Sequence, residues 1–211
     1  MSNKTQGPQF VLCIDWETSG SNFGGDSTRD YQGISCGVIV ARADDFSPVE
    51  RLYMEIKFDA GRYKWSAEAE RIHGLSRDYL DQHGVDSETA AVQLAELILK
   101  YWGPTSRVML LGHNVEFDRR FTNQLLNNID IEFSVESSGQ YASRIELHHV
   151  MLDTSSAGFI GLGIYKSDAL FKKMGFQDRG EHNALTDAEQ TLETAAVLRA
   201  LVLANFEEAV N

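Results

Sequence analysis

Phe10 to Trp16 is an apolar run that ends abruptly in acid and then Gly20. Strands buried on both faces read as continuous hydrophobic stretches, so this segment is expected at the centre of a sheet. Everything else must pack around it. Ile34 to Ala41 reads as a second strand, and Arg51 to Phe58 alternates polar and apolar as a third strand with one solvated face would. The short connections, notably Asp44-Asp45 and Ser47-Pro48, make the three an antiparallel meander. After Ser66 the periodicity becomes helical, in short pieces broken at Gly74 and Gly84. Ser87 to Trp102 then repeats Ala90, Leu94, Leu97, Ile98 and Tyr101 at helical spacing before Gly103-Pro104 stops it. A short strand at Val108 to Leu111, a helix from Val115 to Leu126 and a strand near His148 to Leu152 follow. A small helix at Ser167 to Met174 and a long one from Thr186 to about Phe206 finish the chain. Strands in a meander, then strands alternating with helices, predict an α/β fold: a mixed sheet with helices packed on its faces. Gly20 to Gly33 and Ser155 to Gly163 are the loops expected to move.

At 211 residues the chain is long enough for one self-sufficient core, so a single domain is expected over 10–207, with 1–9 a flexible N-terminus and 208–211 the C-terminal end. Cys13 and Cys36 both lie inside apolar strands, where a reduced thiol acts as a small hydrophobe, which implies a reducing, cytoplasmic setting. No apolar run reaches the length of a membrane span and Met1 to Gly7 is short and polar, so neither membrane insertion nor secretion is expected. A net charge of −12 argues against coating duplex DNA through a wide basic surface. It leaves open an enzyme that grips a phosphodiester through cations held by its own carboxylates.

Asp15 and Glu17 lie two apart at the exit of the first strand, so both carboxylates point to one side of the sheet. A solvated strand end would look the same. Asp118 is more telling, because it shares a helical stripe with Phe121 and Leu125 on the helix that Asn114 is positioned to cap. A carboxylate on a core-facing stripe is costly without a partner, and Arg119 and Arg120 point to other faces. His182 and Asp187 would be separated by roughly 140° on a continuous helix. The sequence instead hangs His182 from the loop after Gly180 and puts Asp187 in the first turn of the last helix, so that both reach one point. In isolation His182 also fits a surface or capping histidine. Together, four carboxylates from three segments and a loop histidine fit phosphodiester hydrolysis by two hard cations, Mg2+ or Mn2+. In such sites the ions lie about 3.5 to 4 Å apart, and His182 would take the proton from the attacking water.

Three blocks, Asp15-Trp16-Glu17-Thr18-Ser19-Gly20, Gly112-His113-Asn114-Val115-Glu116-Phe117-Asp118 and His182-Asn183-Ala184-Leu185-Thr186-Asp187-Ala188, occur in the order that resembles the DEDDh (DnaQ-like) 3′→5′ exonucleases. Ile72-His73-Gly74-Leu75-Ser76 is similar to a further segment of that family. The resemblance implies an RNase H-like fold with a five-stranded mixed sheet, and release of nucleoside 5′-monophosphates from the 3′ end of single-stranded DNA or RNA. It implies Asp15, Glu17, Asp118 and Asp187 as metal ligands, with Asp15 shared by both ions, and His182 as general base. Thr18 through its backbone, His73, Asn114 and Phe117 would seat the terminal nucleotide. Trp16 could stack on a terminal base or simply pack in the core. Tyr63 and Trp65 read as packing residues, His83, His148 and His149 as structural or solvated, and Lys172-Lys173 as a phosphate contact or an exposed helix face. The alternatives are an oligoribonuclease-like enzyme for short RNA, in that case as a homodimer, a proofreading-type subunit, and a catalytically silent interaction module. The loop from Gly20 to Gly33 is longer than in compact members of the family, and the segment from Ser134 to Arg144 matches nothing in its pattern.

Overall fold

The computed structural model describes residues 8–22, 25–103, 107–127, 145–177 and 180–210. Five strands form one sheet in the order β3-β2-β1-β5-β7: β1 is Phe10–Thr18, β2 Gly33–Arg42, β3 Pro48–Glu55, β5 Leu110–Gly112 and β7 Leu152–Asp153. The first three pair antiparallel, and β1–β5 and β5–β7 pair parallel. A second, two-stranded parallel sheet joins β4 (Arg107–Val108) to β6 (Glu146–Leu147). The expected mixed sheet, with its meander first, is therefore the observed one, and the apolar run of β1 is its central strand.

The alternation of β1 sorts the core into two layers, because successive side chains leave a strand on opposite faces. Leu12, Ile14 and Trp16 face α3 (Ser87–Trp102) and α4 (Glu116–Leu126), packing with Ala90, Leu94, Ile98, Phe121 and Leu125. Val11 and Cys13 face α7 (Ala184–Val210) and meet Ala188, Leu192 and Ala195. Full burial of each such aliphatic side chain contributes about 1.5 to 3 kcal/mol, so these two faces hold α3, α4 and α7 on the sheet. Continued to the strand's end, the same alternation puts Asp15 and Glu17 on the α7 face.

Gly37 sets how closely α7 approaches. It is the cross-strand partner of Asp15, and a Cβ built on it would lie 2.3 Å from the Ala184 carbonyl group. The first turn of α7 therefore rests on bare backbone. Asn183 starts that helix, its Oδ1 accepting from the Leu185 and Thr186 amides at 3.1 and 3.2 Å.

Two expectations are corrected. Ser155 to Gly163 is no loop: Thr154–Leu162 is a helix, α5, capped by Asp153 at its start and by left-handed Gly163 at its end. Serine and glycine mimic loop composition, but Gly158 lets α5 sit against Leu170 and the Ile164 carbonyl. Asn114, expected to cap α4, has a left-handed φ of 59° and the N-cap position falls to Val115 with no side-chain bond. The loop after Gly20 is tied down in its described part. Asn22 donates from its backbone to Ser27 Oγ and from its side chain to Asp30, and Gln124 of α4 donates to the Thr28 and Tyr31 carbonyls. Ser134 to Arg144 and Met1 to Gly7 lie outside the described residues.

Candidate active site

The end of β1 is fixed before any acidic residue is placed. The Ser19 hydroxyl donates to the Lys64 carbonyl at 2.8 Å and accepts from the Gln32 amide at 3.0 Å, while the Ser66 amide donates to the Ser19 carbonyl at 2.7 Å. Asp15 and Glu17 project from this anchored exit toward α7. Asp118 arrives from α4 on the opposite face, reaching round the strand so that its Oδ1 accepts the Trp16 amide at 3.1 Å. Asp187 stands in the first turn of α7, its amide bonded to the Asn183 carbonyl at 2.9 Å. His182 precedes that turn, and its own amide donates to the Ile72 carbonyl at 2.9 Å, which ties the loop to the C-terminal end of α1 (Ala67–His73).

The result is a convergence of the β1 exit with the start of α7, which Asp118 adjoins through the Trp16 amide. Glu17, His182 and Asp187 each offer a ligand atom, and these atoms lie within 4.8 Å of one another. His182 Nδ1 is 3.2 Å from Asp187 Oδ2. Glu17, Asp118 and Asp187 are buried, and Asp15 and His182 half-buried. Burial pushes the Asp118 carboxyl well above the usual carboxylate range; the Trp16 amide opposes this, and the charges of Glu17 and Asp153 add to it. Carboxylates withdrawn from water into each other's field are the donor set that a hard cation stabilises, so the residues present fit a divalent metal.

The bland explanations fail for Asp118. Arg119 and Arg120 both pair with Glu116, at 2.6 and 2.9 Å, leaving the core-facing carboxylate to the cluster. Trp16 takes the packing alternative: it is buried, its ring covers Gly33, and its indole N–H donates to Thr122 Oγ1 at 3.0 Å. Its aromatic face is spent inside the core. His83 packs at a tilt on Tyr79 and His148 stacks on His149, while Lys172 and Lys173 are exposed on a helix end.

Of the remaining predicted residues, Thr18 is buried and its hydroxyl donates to the Gly20 carbonyl at 2.9 Å. His73 is buried beside it, with Nδ1 accepting the Leu75 amide at 3.0 Å, so the neutral ring carries its proton on Nε2, toward the Thr18 backbone. Burial holds the His73 ring below the ordinary histidine value; Glu70 and the Thr18 carbonyl oppose the shift and His182 reinforces it. A depressed folded-state pKa means stability that is complete above the unfolded value and lost as pH falls below it. Metal-free wild type should therefore lose thermal stability between pH 7.5 and about 5 more steeply than His73→Gln, and parallel melting curves would sink this. Asn114 is exposed and Phe117 half-buried against Phe121. Both line a cleft of about 480 Å³ together with Asn22, Thr28 and Arg120.

Sequence reasoning missed Asp153. Its signal was an acid at a strand exit followed by Thr-Ser-Ser, a helix-start pattern hidden by reading the stretch as loop.

Comparison with solved structures bears on the architecture. E. coli exonuclease I in complex with a dT13 oligonucleotide aligns with a TM-score of 0.70 and 17% identity, over 95% of this chain and 43% of that one. The fold is that of the RNase H-like exonucleases. Product-bound exonuclease I aligns at 0.65 and 16% identity over 92% of this chain and 44% of that one. The 3′-exonuclease solved for recognition of the histone mRNA stem-loop has the same exonuclease fold, at 0.63 and 13% identity over 90% and 63% of the two chains. The chain thus spans under half the length of exonuclease I. No family model and no curated protein matches the sequence. Among the described residues, no helix is long and apolar enough to cross a membrane.

Proposed function

We propose that this chain is a metal-dependent 3′→5′ exonuclease that releases nucleoside 5′-monophosphates from single-stranded nucleic acid. The observation carrying this is the convergence of Glu17, His182 and Asp187 within 4.8 Å beside a buried Asp118, on a fold shared with exonucleases. Neighbours of that fold bound to a dT13 oligonucleotide, or named for histone mRNA recognition, support a single-stranded DNA or RNA substrate.

In this reading Asp15, Glu17, Asp118 and Asp187 hold two divalent cations, Mg2+ or Mn2+. Bound cations supply Lewis acidity, lowering the pKa of a water and neutralising charge at the scissile phosphate. His182 accepts the proton of the attacking water. Its Nδ1 faces Asp187, so the proton goes to Nε2. The Thr18 backbone, His73, Asn114 and Phe117 seat the terminal nucleotide, with the cleft beside Asn114 and Phe117 taking the strand that leads to it. Trp16 is left out of that seat because its ring packs on Gly33 and its indole N–H is engaged by Thr122. Cys13 and Cys36, free and fully buried, suit a reducing, cytoplasmic compartment.

The test is digestion of matched 5′-labelled DNA and RNA single strands with Mg2+ or Mn2+. Stepwise ladders and 5′-mononucleotides are expected. Asp187→Ala should lower the rate by about 10³-fold or more, and His182→Ala by roughly 10² to 10⁴-fold. Release that persists in EDTA, or label that leaves in a single step, would reject the reading. Oligomers from two to about twenty nucleotides separate a general exonuclease from an oligoribonuclease-like one, which would favour the shortest.

A further inference from the structure

We propose that Asp153 is a positioning residue that sets where Asn114 meets the terminal nucleotide, an inference that rests on the exonuclease reading above. Asp153 is the last residue of β7 and lies beside Gly112 in parallel register. Its Oδ1 accepts the Asn114 amide at 2.8 Å and the Ser155 amide at 3.1 Å, and its Oδ2 accepts the Ser156 hydroxyl at 2.8 Å. Both oxygens are engaged, and the bond to Asn114 crosses to a segment 39 residues away.

That bond falls where the chain most needs it. Asn114 has a φ of 59°, a left-handed conformation that L-residues adopt at a cost. The helix that follows offers no help, because Val115 at the N-cap makes no side-chain bond. The neighbouring corner is fastened too: Thr154 Oγ1 donates to the Gly112 carbonyl at 3.1 Å, and the His113 ring lies 3.0 Å from both Thr154 Oγ1 and the Tyr165 carbonyl. The Asn114 side chain, exposed at the cleft shared with Phe117, is thereby aimed by a carboxylate that itself lies on the adjacent strand. The role requires an acceptor at a set distance. It does not require charge.

Three variants of the full chain test this. Asp153→Asn keeps the acceptor, Asp153→Ser keeps the cap of α5 but is too short to reach Asn114, and Asp153→Glu keeps the charge but overshoots. Asp153→Asn should keep the wild-type KM and the protected Asn114 amide. Asp153→Ser should raise KM for a single-stranded oligonucleotide about tenfold with kcat within about threefold, and lose hydrogen-exchange protection of the Asn114 amide. Asp153→Glu should do the same, and stands in if the serine variant does not fold. The proposal is overturned by an unprotected Asn114 amide in wild type, by wild-type KM in both the serine and glutamate variants, or by an asparagine variant as impaired as they are. Amide exchange needs no turnover. A wild-type chain without nuclease activity would thus reject the exonuclease reading on its own, whatever the Asn114 amide shows.

Discussion

Asp118→Asn should make the metal-free protein more stable at neutral pH while lowering the rate of the proposed exonuclease reaction by about 10³-fold or more. Both effects follow from one placement. The carboxyl is buried, with Glu17 and Asp153 adding negative field, so it favours its proton in the folded state more than in the unfolded chain. Such a group costs nothing below the ordinary carboxylate range, and costs progressively more as pH rises through it toward the raised folded value. Asparagine removes that cost yet still accepts the Trp16 amide bond that Asp118 accepts at 3.1 Å. Each kcal/mol recovered would raise the melting midpoint by roughly 2 to 4 °C in a chain of this size. Melting curves in EDTA from pH 4 to 8 should show the two proteins converging at the acid end and separating toward neutrality. Mg2+ or Mn2+ should then stabilise wild type and leave the variant nearly unmoved. A variant that melts below wild type at pH 7.5 would show that the carboxylate is satisfied by its surroundings and needs no cation.

Gly37→Ala should destabilise the fold by about 1 to 3 kcal/mol and abolish most activity, although no chemistry is assigned to that residue. The added Cβ would meet the Ala184 carbonyl group and the Leu185 amide nitrogen at 2.3 Å, and both are backbone atoms that cannot rotate away. Helix α7 must lift, and Asp187 in its first turn lifts with it away from Glu17. Gly161→Ala is the control, because nothing lies within 4 Å of its added Cβ. There the substitution lies in helix α5, where alanine is favoured over glycine by roughly 0.5 to 1 kcal/mol. Denaturant midpoints for the pair should therefore move in opposite directions. A Gly37→Ala protein with an unchanged midpoint would mean that the close seating of α7 is not required.

What the sequence disclosed was whatever hydrophobic period controls. The buried run of β1, the alternation of β3 and the stripe of α3 are one-dimensional patterns, and each became the element expected of it. Asp118 was legible for the same reason, as a charge in register with Phe121 and Leu125. The failures are positions where backbone conformation, not side-chain period, decides. Asn114 has the right residue type for a cap, but a left-handed backbone turns it away from that task. Helix α5 has a loop's composition and is made a helix by Asp153, Gly163 and the contacts of Gly158. Trp16 was readable only as an aromatic near the site, because the thinness of Gly33 and the hydroxyl of Thr122 that hold its ring lie far away in sequence.

The amide bond from His182 to the Ile72 carbonyl divides the candidate site between two supports. Glu17 belongs to the sheet and Asp187 to the helix seated on it, whereas the imidazole is moored to α1, which belongs to neither layer. A displacement of α1 would thus carry the proposed proton acceptor away from acids that stayed in place. Under the proposed function, cation affinity and turnover would consequently be separable quantities, governed by different stretches of chain.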